Sequence, residues 1–104
     1  MEDSGIDLKL QDWKEVKRIL KTHVSTREVW AFGSRVEGTA KEYSDLDLVV
    51  ITKKMLSLSV LADLKDAFNN SDLTIKVDLL DWASLSDSFR NIIERKHVVI
   101  QKSG

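Results

Sequence analysis

Apolar residues recur at helical spacing in three stretches of the chain. The apolar face of the first stretch consists of Trp13, Val16, Ile19 and Leu20. Asp12 precedes this face and Glu15 follows three positions later, a pattern that resembles a capping box with aspartate in place of serine or threonine. We therefore predict a first helix capped by Asp12, behind a loose lead-in over residues 1–10.

The two later stretches show the same spacing. The apolar stripe of the second comprises Val60, Leu61, Leu64 and Phe68, and that of the third comprises Leu85, Phe89, Ile92 and Ile93. Serine residues precede both stripes, and a serine side chain can accept a hydrogen bond from the first turn of a helix. Ser57 or Ser59 is expected to cap the second helix, and Ser84 or Ser86 the third.

Four shorter stretches have the length and residue types of β-strands. We predict strands over residues 27–32, 45–52, 73–80 and 97–101. The first is apolar on both faces, which favours a central strand covered on both sides. In the second, alternation directs Leu46, Leu48 and Val50 to one face and Asp45 and Asp47 to the other.

The resulting order of elements is α-β-(α)-β-α-β-α-β. This order predicts an α/β (α+β) fold with a small mixed β-sheet and helices packed mainly on one face. At 104 residues the chain is long enough for one core and too short for two, so we expect a single domain over residues 1–104.

Composition narrows the class of protein. Hydrophobic residues make up 42% and charged residues 32% of the chain, an ordinary balance for a globular protein. The net charge of −1 gives no overall basic field, so direct binding of nucleic acid is not expected. The absence of cysteine excludes thiolate metal sites. The acidic N-terminus has no long apolar run, which argues against a signal peptide or membrane span and favours the cytoplasm.

Asp45 and Asp47 are the first candidates for chemistry. Two carboxylates on the same face of one strand repel each other, and a divalent cation is the usual reason to tolerate such a pair. Mg²⁺ prefers oxygen ligands and is commonly held by one or two carboxylates together with substrate phosphates. Asp78 lies on the third predicted strand, and it would converge on the same face if that strand pairs beside the second.

A glycine turn precedes the aspartates. Gly33 and Ser34 end the first strand, and Gly38 follows four positions after Ser34. Glycine allows close approach of the backbone, and N–H groups at the start of a helix favour anions. Ser44 stands directly before Asp45, where it could orient the aspartates by a local hydrogen bond or act as a turn residue.

Gly33-Ser34, then Gly38, then Ser44-Asp45-Leu46-Asp47-Leu48 resembles the signature of the polymerase-β-like nucleotidyltransferase superfamily. The short chain is similar to the minimal nucleotidyltransferase (MNT) branch, whose members are often paired with HEPN-domain proteins. The resemblance extends from Val29 to Asp78 and implies a palm-like nucleotidyltransferase core.

The resemblance also implies roles for individual residues. Asp45 and Asp47 would be catalytic metal ligands, and Asp78 would be the third ligand, around two Mg²⁺ ions. Asp78 would also help to take the proton from the acceptor hydroxyl. Gly33 and Ser34 would bind the triphosphate of the nucleotide. Arg35 would either add a contact to phosphate or simply be exposed to solvent.

The activity implied by the resemblance is Mg²⁺-dependent transfer of AMP from ATP to a hydroxyl. In the MNT branch the acceptor is a tyrosine of a HEPN toxin, and the transferase acts as the antitoxin. Little of the chain remains after the last predicted helix, so we expect the acceptor site to come from another protein or a second copy. A homodimer and a complex with the HEPN protein are both compatible with the sequence.

Two other functions stay open. The chain could neutralise a HEPN partner by occlusion alone, without catalysis, or it could be a nucleotidyltransferase that acts on a small molecule. Two departures from the family pattern bear on activity: Val36-Glu37 stands where many relatives have a small residue and arginine, and Lys41-Glu42-Tyr43 stands where many have a proline.

The remaining candidates are interpreted as structural. His23 and His97 are isolated in the sequence and lack the spacing of metal ligands. Trp13, Trp30 and Trp82 are interpreted as core or interface residues, although Trp82 follows the Asp78 strand and has the best claim of the three to a nucleotide contact. Asp81 is expected on the opposite face from Asp78 or in the turn.

Overall fold

The computed structural model describes residues 5–103. The helices are α1 (Leu10–Val24), α2 (Ser34–Glu37), α3 (Leu58–Asn69) and α4 (Asp87–Arg95). The strands are β1 (Glu28–Phe32), β2 (Leu46–Ile51), β3 (Val77–Asp81) and β4 (Val98–Gln101). A short 3₁₀ helix, Trp82–Ser84, follows β3. The predicted order of elements is confirmed.

The four strands form one mixed sheet in the order β3-β2-β1-β4. Strand β1 pairs antiparallel with both β2 and β4, whereas β2 and β3 are parallel. The parallel pair is possible because α3 carries the chain back across the sheet between β2 and β3. The predicted small mixed sheet is therefore confirmed.

The longer helices, α1 and α3, cover one face of the sheet. Val16, Leu20 and Leu64 from these helices are fully buried together with Leu46, Leu48 and Val50 from β2. The alternation along β2 thus directs its aliphatic residues into the main core. Helices do pack mainly on this face, as predicted.

Helix α4 covers part of the opposite face. Ile93 is buried there against Phe32 and Val49, and Trp30 and Trp82 pack against this second cluster. Ile92 belongs to the apolar stripe predicted for this helix, but it is 57% exposed. The stripe of α4 is therefore narrower than the sequence spacing indicates.

The start of α1 differs from the prediction. The helix begins at Leu10, and Lys9, which makes no side-chain cap, occupies the N-cap position. Asp12 lies inside the first turn, where its carboxylate accepts hydrogen bonds from the backbone N–H and hydroxyl of Thr74. Glu15 pairs with Arg18 instead of completing a capping box. Asp12 therefore joins two distant segments and does not cap the helix.

Part of the predicted lead-in, residues 6–8, makes contacts with the rest of the fold. Residues 1–4 lie outside the described residues, but Ile6 and Leu8 pack against the main core. The backbone N–H of Asp7 donates to the carbonyl of Arg35 at 2.7 Å. The expectation of a loose segment is therefore wrong for residues 6–8.

The helix caps downstream agree with the sequence. Ser57 accepts a hydrogen bond from the N–H of Val60, and Ser86 accepts one from the N–H of Phe89. These two serines, rather than Ser59 and Ser84, begin α3 and α4.

Strand β3 is shorter than predicted. It begins at Val77, so residues 73–76 are not part of the sheet. The N–H of Thr74 donates to Asp12 and is not available for a strand ladder. In the part of the chain that the structure describes, no helix is long and apolar enough to cross a membrane.

Candidate active site

Two of the predicted carboxylates lie where β2 begins. Strand β2 starts at Leu46, so Asp45 stands just before the strand rather than within it, and Thr52 likewise falls outside. Leu46 and Leu48 point into the main core, which places Asp45 and Asp47 on the opposite face. Asp45 is exposed and Asp47 is partly buried.

The third predicted carboxylate lies beside them. In the parallel register of β2 and β3, Asp47 pairs with Asp78. Neighbouring strands are about 4.8 Å apart, so these two side chains leave the sheet side by side. Asp78 is exposed, and its place beside Asp47 follows from strand register, as expected if the third predicted strand pairs beside the second.

The electrostatic environment singles out Asp47. Burial first, and then the negative charges of Asp78 and Asp45, raise the pKa of Asp47 to about 6. Each cause disfavours the ionised carboxylate. The site therefore favours a bound cation, because a cation would stabilise the charged form that the protein alone destabilises.

The donor chemistry fits magnesium. Carboxylate oxygens are the ligands that Mg²⁺ prefers, and the backbone brings three of them to one face. Across residues 5–103, however, no group of three or more histidine, cysteine, aspartate or glutamate side chains is arranged to hold a metal ion. A shared ion would thus require the aspartate side chains to rotate towards one another.

Gly33 makes room for Asp47. Its φ of 82° and ψ of −160° lie in a region open only to glycine. A Cβ atom at this position would collide with Oδ2 of Asp47 and lie 3.1 Å from its Cγ. The sequence suggested close approach of a phosphate as the reason for this glycine, whereas the structure shows a requirement imposed by the carboxylate itself.

Ser34 begins the short helix α2 next to this contact. Its carbonyl accepts hydrogen bonds from the N–H groups of Gly38 and Thr39. Gly38 has a φ of 81° and ends the helix in the left-handed conformation. The predicted glycine turn is thus a single helical turn that starts beside Asp47. The roles of Gly33 and Ser34 in binding a nucleotide stay predictions.

Arg35 is the main departure from the predicted site. Its side chain is only 7% exposed, and the guanidinium donates to the carbonyls of Asp7, Lys41, Glu42 and Ser44. Because these carbonyls occupy its donors, neither the predicted phosphate contact nor the alternative of solvent exposure describes this residue. Arg35 instead fixes the loop that leads to Asp45.

Ser44 is part of the same arrangement. Its hydroxyl accepts a hydrogen bond from the N–H of Lys41 at 2.9 Å, and its N–H donates to the carbonyl of Lys41. Its own carbonyl accepts from Nε of Arg35. Ser44 therefore makes the local hydrogen bonds expected of a turn residue directly before Asp45.

The aromatic residues on this face pack against one another. The rings of Trp30 and His97 stack with centroids 3.9 Å apart, and Trp82 meets Trp30 edge to face at 5.3 Å. The guanidinium of Arg90 lies over the ring of Trp82. The structural interpretation of Trp30 and Trp82 is consistent with these contacts.

Sequence reasoning did not single out Tyr43 or Lys76 as site residues, whereas Asp81 lies on the opposite face from Asp78, as expected. A cavity of about 530 Å³ opens beside Asp45 and is lined in part by Tyr43 and Lys76. Alternation places Lys76, two positions before Asp78, on the aspartate face, but this placement alone does not indicate a role in the site. Asp81 is buried at the end of β3 and accepts hydrogen bonds from Thr52 and Leu56. No signal in the local sequence indicates that second network.

The chain is similar to known proteins in sequence. Residues 14–104 match the model of the family described as polymerase beta, nucleotidyltransferase. A probable protein adenylyltransferase MntA from Haemophilus influenzae is 50% identical over 97 residues, which cover 93% of this chain and 85% of the relative.

Solved structures show the same fold. A toxin–antitoxin complex with AMP-PNP contains a chain with a TM-score of 0.71 and 22% identity, covering 86% of this chain and 73% of that one. A complex of a tri-AMPylated Shewanella oneidensis HEPN toxin with an MNT antitoxin gives a TM-score of 0.63 and 18% identity, covering 88% of this chain and 71% of the other.

Proposed function

The chain belongs to the polymerase β nucleotidyltransferase family, and on that premise we propose that it transfers AMP from ATP to a tyrosine hydroxyl of a HEPN-type toxin. This transfer would make it the antitoxin of a toxin–antitoxin pair. Support comes from the 50% identical relative named as a probable protein adenylyltransferase. The fold neighbours that contain AMP-PNP or an AMPylated HEPN toxin support the same donor and partner.

One observation carries the proposal. Asp47 and Asp78 are register partners on parallel strands, and Asp45 lies on the same face. Burial first, and then the negative charges of Asp78 and Asp45, raise the pKa of Asp47. Such a group of carboxylates is costly without a bound cation. A nucleotide with its magnesium is the ligand that would make this arrangement favourable.

The reaction would be an in-line displacement at the α-phosphorus. The acceptor oxygen forms a bond to phosphorus, and the bond to the bridging oxygen of pyrophosphate breaks. We assign Asp78 to accept the hydroxyl proton, and we assign Gly33 and Ser34 to bind the triphosphate. Mg²⁺, when held by the three aspartates, would supply Lewis-acid stabilisation of the charge on the phosphoryl oxygens.

Arg35 and Gly33 act on this chemistry through position. Arg35 anchors the loop that ends at Asp45 through three of its backbone carbonyls and also binds the carbonyl of Asp7. Gly33 leaves the space that Asp47 occupies. Neither residue needs to contact the nucleotide for the site to depend on it. Their contribution is to fix the carboxylates before substrate arrives.

The alternative is an antitoxin that acts by occlusion without catalysis. The Val36-Glu37 departure is the feature that favours it, since an acidic side chain follows the predicted phosphate site. Val36 is buried in the main core and Glu37 is exposed at the end of α2. This single exposed carboxylate is a weaker observation than the three aspartates, so we favour catalysis.

The test is the intact mass of a co-expressed HEPN-domain protein after incubation with Mg²⁺ and ATP. We expect one or more AMP additions with the wild-type chain and a loss of at least about a hundredfold in rate with Asp47→Asn. Asp63→Asn, an equal change of charge at an exposed position of α3, serves as the matched control and should transfer normally.

Two results would contradict the proposal. If the wild-type chain adds no AMP while both variants still bind and silence the HEPN protein, occlusion is the correct function. If Asp47→Asn transfers at the wild-type rate, the assignment of the active site is wrong.

A further inference from the structure

Strand β3 lies at an edge of the sheet. It pairs with β2 on one side, and within residues 5–103 no strand pairs with its other side. The backbone groups along an exposed edge can pair with an added segment of polypeptide. The edge of β3 is therefore a surface on which another chain can align.

Two cavities lie side by side along this edge. The larger, of about 530 Å³, reaches Tyr43 and Asp45, and the smaller, of about 140 Å³, reaches Lys65 and Asp78. Both are lined by Phe68, Asn69 and Val77. Because they share these walls, we define them as one feature, the β3-edge groove. It lies between the C-terminal end of α3 on one side and, on the other, β3 and the segment 73–76 that leads into it.

The groove lies next to the aspartates, on the side of the site formed by β3. Asp45 borders its larger part and Asp78 borders its smaller part. Gly33 lies on the other side of the site, because it follows β1 and contacts Asp47 from there. The path across the sheet thus runs from Gly33 through Asp47 to Asp78 and then to the groove.

The geometry of in-line displacement determines from which side of the site the acceptor oxygen approaches. The attacking and leaving oxygens lie on opposite sides of the phosphorus. If the triphosphate tail and its leaving pyrophosphate lie towards Gly33 and Ser34, the acceptor oxygen must approach from the side of β3. The groove is a cavity on that side.

We propose that the β3-edge groove receives the tyrosine-bearing segment of the acceptor protein. This inference rests on the proposed function and adds the place and chemistry of acceptor recognition. A polypeptide suits the groove because the free edge of β3 presents backbone donors and acceptors. The side chain of Tyr43, which is 79% exposed at the mouth of the groove, offers an aromatic surface.

The segment would present its tyrosine hydroxyl to Asp78. The hydroxyl oxygen bonds to the α-phosphorus, the bond to the bridging oxygen breaks, and pyrophosphate leaves towards Gly33. The hydroxyl proton passes to the carboxylate of Asp78.

Filling the groove tests this inference. Asn69 lines both cavities and is exposed, so Asn69→Trp adds an indole within the groove. Ala62→Trp, at an exposed position of α3 outside the groove lining, is the control with the same aromatic addition. We expect Asn69→Trp to slow AMP transfer to the co-expressed HEPN-domain protein at least tenfold, and Ala62→Trp to leave it unchanged.

A second readout separates acceptor from nucleotide. The affinity for AMP-PNP with Mg²⁺, measured by calorimetry, should stay within about twofold for both variants. If Asn69→Trp weakens AMP-PNP binding as much as transfer, the groove holds the nucleotide and the inference is wrong. Unchanged transfer and unchanged binding would overturn it as well.

Tyr43→Ala provides an independent variant in case Asn69→Trp fails to fold. We expect a raised KM for the HEPN-domain protein with little change in AMP-PNP affinity, and an unchanged KM would contradict the inference. If the wild-type chain itself adds no AMP to the partner, the proposed function fails, and the assignment of the groove fails with it. If the wild type transfers AMP and only the groove variants lose transfer, both the proposed function and the assignment of the groove are supported. If the groove variants transfer like the wild type, only the assignment of the groove fails.

Discussion

Aspartates on the two faces of the sheet have opposite environments. On the face covered by α1 and α3, Asp12 and Asp81 are only 2% and 5% exposed, yet hydrogen-bond donors surround both carboxylates. On the other face, Asp47 is less buried, but its neighbours include two further carboxylates. Burial alone therefore does not identify a functional acid in this protein.

The donors explain the difference. Asp81 accepts hydrogen bonds from the hydroxyl of Thr52 and from the N–H groups of Leu56 and Ala83. Hydrogen bonds to an ionised carboxylate compensate for its lost hydration. Asp81 in this way fastens the loop after β2 to the end of β3.

Asp47, in contrast to Asp81, has negatively charged carboxylates as its neighbours. The effects that raise its pKa to about 6 are burial and the charges of Asp78 and Asp45. Groups with such perturbed ionisation are often functional, since the protein bears a cost that only a ligand offsets. The comparison thus separates carboxylates that are surrounded by hydrogen-bond donors from a carboxylate whose neighbours are other carboxylates.

The largest effect on stability should come from Asp81. We expect Asp81→Ala to lower the free energy of unfolding by about 3 kcal/mol, because it leaves buried donors without an acceptor. Asp78→Ala, at an exposed position of the same strand, should change it by less than about 0.5 kcal/mol. Urea unfolding followed by tryptophan fluorescence measures both.

AMP transfer should rank the same two variants in the opposite order. Asp78→Ala should lose transfer while it stays folded, and Asp81→Ala should retain transfer at a temperature where it is folded. Equal stability losses for the two variants would break the distinction between the faces.

The sequence predicted the aspartate face well because its signals are local. Alternation along β2 separates Asp45 and Asp47 from Leu46 and Leu48 within four consecutive residues. The caps Ser57 and Ser86 are equally local, since each bonds to an N–H three residues later. Such features depend on the chain near them and not on tertiary packing.

The errors have tertiary causes. Asp12 looked like a cap, but it bonds to Thr74, which lies 62 residues away, and that bond also shortens β3. Arg35 looked like a phosphate ligand, but it bonds to carbonyls up to 28 residues away. A single sequence contains no record of these pairings, so local patterns assign such residues to the wrong role.

Gly33 combines a local sequence pattern, a glycine at the end of a strand, with a tertiary contact to Asp47. Gly33→Ala should destabilise the protein by about 2 kcal/mol, because alanine is strained at a φ of 82° and its Cβ would collide with Asp47. It should also lower AMP transfer, since the carboxylate is displaced. Gly38→Ala, whose Cβ would meet no atom within 4 Å at a φ of 81°, is the control for a glycine substitution at positive φ without a collision.

The difference between these glycine variants reflects the contact with Asp47 together with the greater backbone strain at Gly33, whose ψ of −160° lies outside the left-handed helical region that Gly38 occupies. Gly38→Ala should cost about 1 kcal/mol of stability from strain alone and leave transfer near the wild-type rate. If both variants transfer equally well, the collision at Gly33 does not matter for the site.

The smallest effect should be the pH dependence of stability that Asp47 contributes. Its pKa is about 6 in the folded protein and about 3.9 in an unfolded chain, so the folded state binds the proton more tightly between these values. The free energy of unfolding should therefore fall as the pH rises through this window. Solvent screening at a partly buried site limits the expected change to about 1 kcal/mol.

Asp47→Asn removes this titration. In EDTA-containing buffer the variant should be more stable than the wild type by about 1 kcal/mol at pH 7, and the difference should vanish towards pH 4. Urea unfolding at a series of pH values measures it. Added Mg²⁺ should stabilise the wild type and not the variant, because a cation compensates the charge that Asp47 carries. A variant less stable than the wild type at pH 7 would show that Asp47, like Asp81, belongs to the fold.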